Sequence, residues 1–83
     1  LIHGEDGADQ IFGREGRDVL FGDWGDDQIH GDEGDDALLG GSHDDRLFGG
    51  AGRDEINGEW GSDTAHGGDD ADTLRGGSER DML

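Results

Sequence analysis

The chain has 83 residues, of which 23 are Asp or Glu, six are arginine and none is lysine, for a formal charge of −17 at pH 7. That balance excludes a nucleic-acid-binding surface, which needs a basic footprint, and disfavours anionic membranes. The absence of cysteine excludes disulfides and thiolate metal sites. With 28% hydrophobic residues and 19 glycines, such a chain would ordinarily stay disordered, because glycine loses the most freedom on folding and little apolar surface is available to offset it. Something outside the chain has to contribute, and the charge points to cations.

Along the chain, one nine-residue pattern accounts for every position. Three residues (1–3) complete a copy, eight full copies follow (4–75), and residues 76–83 form a last copy one residue short. Slot one is Gly at 4, 13, 22, 31, 40, 49, 58, 67 and 76. Slot six is Asp9, Asp18, Asp27, Asp36, Asp45, Asp54, Asp63, Asp72 and Asp81. Slot eight is apolar from Ile2 to Leu83. No insertion breaks the phase, so the chain reads as a single domain over 1–83. It begins and ends within a copy, which suggests a segment of a longer array, flanked by further repeats or by a functional domain of the same parent chain.

Helices are not expected, since glycine opens every copy and no apolar stripe at 3.6-residue spacing occurs. The strand signal is three residues long, as in Val19-Leu20-Phe21 or Ala37-Leu38-Leu39. Such strands need identical neighbours stacked on them. Alternation turns slot eight inward and slots seven and nine outward. Two copies then make one flattened 18-residue coil, and successive coils pair in parallel. The fold class is all-β, a parallel β-roll (a β-solenoid). One inner column is Ile2, Leu20, Leu38, Ile56 and Leu74; the other is Ile11, Ile29, Leu47, Ala65 and Leu83, thinnest at Ala65. The turns stack as two further columns, Asp9, Asp27, Asp45, Asp63 and Asp81 in one and Asp18, Asp36, Asp54 and Asp72 in the other.

Carboxylates stacked a few ångström apart repel unless a cation lies between them. Asp oxygens and backbone carbonyls are hard ligands suited to Ca²⁺, while Mg²⁺ demands a stricter octahedron and transition metals favour His or Cys. The candidate ligands are the nine slot-six aspartates, with turn carbonyls near Gly13, Gly16, Gly31, Gly34, Gly49, Gly50 and Gly52. Stacking five turns in one column and four in the other leaves at most seven inter-turn gaps for ions.

Gly49 to Asn57 (Gly-Gly-Ala-Gly-Arg-Asp-Glu-Ile-Asn) also matches, at every defined slot, the nonapeptide G-G-x-G-x-D-x-U-x of RTX proteins, the repeats-in-toxin or haemolysin-type calcium-binding proteins. The other copies match with substitutions, so the whole chain resembles that family. The resemblance implies a β-roll with Ca²⁺ between adjacent turns, and type I secretion to the extracellular medium or cell surface, unfolded inside and folded outside. It implies a binding module without catalysis or membrane insertion of its own. The parent could be a structural or adhesive surface protein, a toxin, or an extracellular protease, lipase or epimerase carrying these repeats at its C-terminus. Slot four departs from glycine at His43, Asp70 and Glu79, so the N-terminal half is expected to hold calcium more tightly.

Other features invite an active-site or metal reading. His30 and His66 fall in one outward column but two coils apart, with Phe48 between them, too far to share an ion. Phe12, Phe21, Leu39 and Phe48 in slot nine point outward, and Trp24 and Trp60 sit in turn slot three. An exposed apolar strip can mark a partner or a neighbouring domain, but the simpler expectation is that the outward aromatics brace the strand ladders. Neighbouring acids such as Asp35 and Asp36 resemble the paired carboxylates of glycoside hydrolysis, but adjacent turn residues do not flank a substrate. Outward threonines, Thr64 and Thr73, lie in different columns, which excludes an ice-binding rank.

Overall fold

The computed structural model describes residues 2–68 and 72–75. Among these residues nine short parallel strands alternate with turns: β1 (Ile2–His3), β2 (Gln10–Phe12), β3 (Val19–Phe21), β4 (Gln28–His30), β5 (Ala37–Leu39), β6 (Arg46–Phe48), β7 (Glu55–Asn57), β8 (Thr64–His66) and β9 (Thr73–Arg75). They form two sheets, in the order β1-β3-β5-β7-β9 and β2-β4-β6-β8. The chain crosses from one sheet to the other at every turn, so each coil contributes one strand to each sheet. This is an all-strand β-solenoid with an 18-residue repeat and, among the described residues, no helix.

Register follows the sequence period. Leu20 pairs with Leu38 and Leu38 with Ile56 in one sheet, while Ile29 pairs with Leu47 and Leu47 with Ala65 in the other. A slip of one residue would put every aliphatic side chain into water. The slot-eight residues Ile11, Leu20, Ile29, Leu38, Leu47, Ile56 and Ala65 are buried, with Ile2 and Leu74 packed against them at the column ends. Leu83 lies outside the described residues. Each buried aliphatic contributes about 1.5–3 kcal/mol, and the core is one side chain thick from each sheet.

The ladders continue past the strands into the turns. The slot-one N–H donates to the slot-nine carbonyl of the next coil, as Gly22 does to Leu39 and Gly31 to Phe48, both at 2.8 Å. The slot-seven N–H donates back to the slot-six carbonyl of the previous coil, as Arg46 does to Asp27 and Glu55 to Asp36, again at 2.8 Å. The three-residue strands are therefore held at both ends by bonds that also fix the height of each turn.

Outward slot-nine rings stack along the sheets. The ring centroids of Phe12 and His30 lie 4.9 Å apart, those of His30 and Phe48 4.7 Å, and those of Phe48 and His66 5.3 Å, with the rings nearly parallel in each pair. His3 stacks on Phe21 at 4.7 Å. The imidazoles serve as rungs between phenyl rings, and the intervening Phe48 keeps His30 and His66 from converging.

Candidate metal centres between the turns

Each turn runs from the slot-one glycine to the slot-six aspartate, and its shape comes from left-handed backbone at slots two and four. At slot four, Gly34 has φ +106°, and a Cβ there would run into the Gly16 carbonyl of the preceding coil. His43 replaces this glycine in its own turn and still takes a φ of 77°. Its ring nitrogen accepts the Gly25 N–H at 3.1 Å, which compensates locally for the lost glycine. Asp70 and Glu79 lie outside the described residues. Slot two is left-handed even where the residue is not glycine: Glu5, Arg14, Asp23, Asp32 and Glu59 have φ between 66° and 71°. For L-residues that conformation costs about 1–2 kcal/mol each. Only part of it is returned by side-chain bonds, such as Asp32 Oδ2 accepting the Arg14 N–H at 3.2 Å.

Slot one is glycine for another reason. Among the described residues no slot-one glycine is left-handed, yet each has no room for a side chain. A Cβ on Gly31 would sit 2.7 Å from Asp36 Oδ2 and 2.8 Å from the Gly49 carbonyl oxygen of the next coil. On Gly40 it would sit 2.7 Å from Asp45 Oδ2 and 2.8 Å from the Gly58 oxygen. On Gly49 the distances are 2.6 Å to Asp54 Oδ2 and 2.7 Å to the Gly67 oxygen. The missing Cβ leaves a cradle bounded by a carboxylate oxygen and a carbonyl oxygen from successive coils.

The aspartates are locked by one oxygen and exposed to the cradle by the other. Oδ1 of Asp27 accepts the Asp9 N–H, and the same bond joins Asp18 to Asp36, Asp27 to Asp45, Asp36 to Asp54, Asp45 to Asp63 and Asp54 to Asp72, each at 2.8 Å. Oδ2 of Asp9, Asp18, Asp27, Asp36, Asp45 and Asp54 is buried with no hydrogen-bond partner. Asp27, Asp36, Asp45, Asp54 and Asp63 are at most 3% exposed. Ionised carboxylates are seldom buried unless paired or bound to a metal. Burial accordingly pushes the carboxyls of Asp27 and Asp36 above their ordinary range, against the lowering effect of the accepted N–H. Asp54 is pushed up to about 6 and Asp45 to about 8, by burial first and by neighbouring aspartates as well.

These observations fit a hard cation. Among the described residues no three carboxylate or imidazole side chains converge as a metal-holding group, so a cation between turns must complete its shell with main-chain oxygens. Ca²⁺ accepts such mixed oxygen sets. Of the carbonyls singled out from the sequence, those of Gly31 and Gly49 lie beside the Oδ2 atoms of Asp18 and Asp36 across the coil gap. Those of Gly16, Gly34 and Gly50 point the other way, toward the same slot of the following coil, where they meet Gly34, Gly52 and Gly68. Gly13 is the first described slot-one glycine of its column, and its carbonyl has no such aspartate beside it among the described residues. The carbonyls of Gly22, Gly40, Gly58 and Gly67, not singled out from the sequence, stand in the same relation to Asp9, Asp27, Asp45 and Asp54 as those of Gly31 and Gly49 do to theirs. The repeat phase marked them, since they share slot one. Asp72 holds its place through Oδ1, and Asp81 lies outside the described residues.

No characterised protein and no solved structure matches the chain. A family model does: residues 3–38, 39–74 and 61–83 match the RTX calcium-binding nonapeptide repeat (4 copies). The period, the parallel roll and the aspartate-lined turns agree with that match, and the chain belongs to the RTX calcium-binding nonapeptide repeat family.

Proposed function

We propose that this segment is a calcium-dependent folding module of a secreted protein, with no catalysis of its own. The observation that carries the reading is the row of buried, unpartnered Oδ2 atoms, each facing a slot-one carbonyl of the next coil. Without a cation, these carboxylates oppose the fold through desolvation and mutual repulsion. With Ca²⁺ bound, their charge is neutralised where it is buried, and carboxylate and carbonyl of successive coils are drawn together.

Slot-one and slot-six oxygens then hold the turns at one height, and the slot-eight aliphatics close between the sheets. Ions that bind only the folded state stabilise it by RT ln(1 + [L]/Kd) per site, so several weak sites act together. Extracellular calcium modules commonly have Kd on the order of 10⁻⁴–10⁻³ M, which suits a chain that stays unfolded in a low-calcium cytosol, leaves by type I secretion and folds outside. Six inter-turn gaps lie between described turns, and the pair Asp63/Asp81 would add a seventh.

Circular dichroism in chelator and in millimolar calcium, with calorimetric stoichiometry, tests this reading. Strand content should appear with calcium and saturate with several ions per chain. Equal strand content in both conditions would overturn it.

A further inference from the structure

The two turn edges of the roll differ in chemistry. The edge built from turns 4–9, 22–27, 40–45 and 58–63 contains no arginine or lysine, whereas Arg14, Arg17 and Arg53 all lie on the opposite edge. On this acidic edge, whose one basic-capable side chain among the described turns is His43, stand the two tryptophans, Trp24 and Trp60, at 62% and 63% exposure, the most exposed large apolar side chains among the described residues. Both occupy slot three, with Ser42 on the rung between. The rungs are tied by consecutive backbone bonds: Trp24 N–H to Glu5 carbonyl at 3.2 Å, Ser42 N–H to Asp23 at 2.9 Å, and Trp60 N–H to Gly41 at 3.0 Å. The indoles are therefore two rungs apart, about 9.6 Å along the stacking axis. Around them Glu5, Asp6, Asp26 and Asp44 are exposed carboxylates outside the buried row.

Neither the core nor the metal cradles need these indoles: both stand mostly in water, and Trp24 makes a tilted contact with the His43 ring on its own edge, centroids 6.2 Å apart. Indole faces stack on the C–H faces of pyranose rings and attract cations. In an extended β-1,4-linked chain, alternate sugars turn over, so the same face recurs every second residue, at a repeat that matches the two-rung spacing. The small hydroxyl residue Ser42 sits where the inverted sugar would pass. An extended peptide strand repeats a face every 6.6–6.8 Å or so, which does not match. The surrounding carboxylates select a cationic ligand.

We propose that this edge binds a cationic β-1,4-linked amino-sugar polymer, with alternate rings stacked on Trp24 and Trp60 and the sugar ammonium groups facing the flanking carboxylates. The probe is a β-1,4-linked glucosamine oligomer at mildly acidic pH, where its amines are charged. Binding to the full chain is followed by tryptophan fluorescence and calorimetry, under conditions in which circular dichroism shows the strands formed. That requirement keeps a failure to bind separate from a failure of calcium-coupled folding.

Trp24→Ala and Trp60→Ala should each weaken binding about tenfold; both side chains are exposed, so the roll should tolerate their loss. The paired exchange Ser42→Trp with Trp60→Ser keeps composition and charge but brings the indoles to adjacent rungs, and it should bind as poorly as a single tryptophan deletion. Wild-type affinity in that exchange variant would overturn the proposal. So would equal binding of an uncharged cello-oligomer, equal binding of oligolysine, or no binding of the glucosamine oligomer.

Discussion

The backbone N–H of Asp27 donates to Oδ1 of Asp45, one coil along, at 2.8 Å, while Oδ2 of the same Asp45 carboxylate is buried without a partner. In Asp27, Asp36, Asp45 and Asp54 one oxygen thus sets the spacing between coils, and the other is left to a ligand. Replacing the carboxylate by its amide separates the two roles. Asp45→Asn retains an acceptor for the Asp27 N–H and turns an N–H₂ toward the Gly58 carbonyl. It should stabilise the calcium-free roll by roughly 1–3 kcal/mol, the usual cost of a buried unsatisfied group, while lowering the number of ions bound. Thermal melts in chelator and calcium stoichiometry report the two effects, and a variant less stable than wild type in chelator would contradict the assignment.

Position in the column decides how many gaps a substitution damages. Asp36 is bonded to both Asp18 and Asp54, whereas among the described residues Asp9 is bonded in this way to Asp27 alone. Asp36→Ala should therefore reduce binding in two gaps and Asp9→Ala in one. Equal loss of bound calcium from the two variants would count against stacked inter-turn sites.

The raised carboxyls make the calcium-free fold sensitive to pH. A carboxyl with a folded pKa above its unfolded value binds its proton more tightly in the folded state, so folding stability falls as pH rises. The contribution is complete below about pH 4, the unfolded range. It is lost as pH rises through about 6 for Asp54 and about 8 for Asp45. In chelator, strand content measured by circular dichroism should increase on acidification from pH 8 to pH 4. Calcium affinity should move the opposite way as protons compete for the same oxygens. A flat chelator profile over that range would exclude this coupling.

Two glycines separate backbone strain from site volume. Gly7 has φ +98° with open space where a Cβ would lie, so Gly7→Ala carries only the left-handed cost of about 1–2 kcal/mol. Gly31 has no left-handed backbone, but its Cβ would occupy the cradle between Asp36 Oδ2 and the Gly49 oxygen. Gly31→Ala should lose calcium from that gap, while Gly7→Ala should lower the melting temperature and leave stoichiometry unchanged. Stoichiometry is the deciding measurement.

Phe48 lies between His30 and His66, whereas Phe21 stacks on His3 alone among the ring contacts of the described residues. At about 0.5–1.5 kcal/mol per aromatic pair, Phe48→Ala should destabilise the roll by about 1–3 kcal/mol through stacking alone, and Phe21→Ala by about half of that. Calcium-saturated thermal denaturation distinguishes them; a larger loss at Phe21 would show that the ladder is not what these rings supply.

The nine-residue phase was enough to determine which residues stack. With two copies per coil, strict periodicity and side-chain alternation leave one way to bury Leu20, Leu38 and Ile56 together, and that places the aspartates in columns. The sequence also led to the RTX family through Gly49 to Asn57. Only the tertiary structure decided how each turn uses its atoms, because identical residue types at different slots face different neighbours. Slot-one glycines such as Gly31 answer to a neighbouring coil's carbonyl, not to their own φ. Slot-two residues such as Arg14 accept left-handed backbone that their side chains disfavour, and His43 does so at slot four. The division of the Asp27, Asp36, Asp45 and Asp54 carboxylates into a bonded Oδ1 and an unpartnered Oδ2, and the common edge of Trp24 and Trp60, depend on the height and direction of stacked turns. Periodicity specifies which residues become neighbours; the backbone path through the turn specifies which atoms of those neighbours meet.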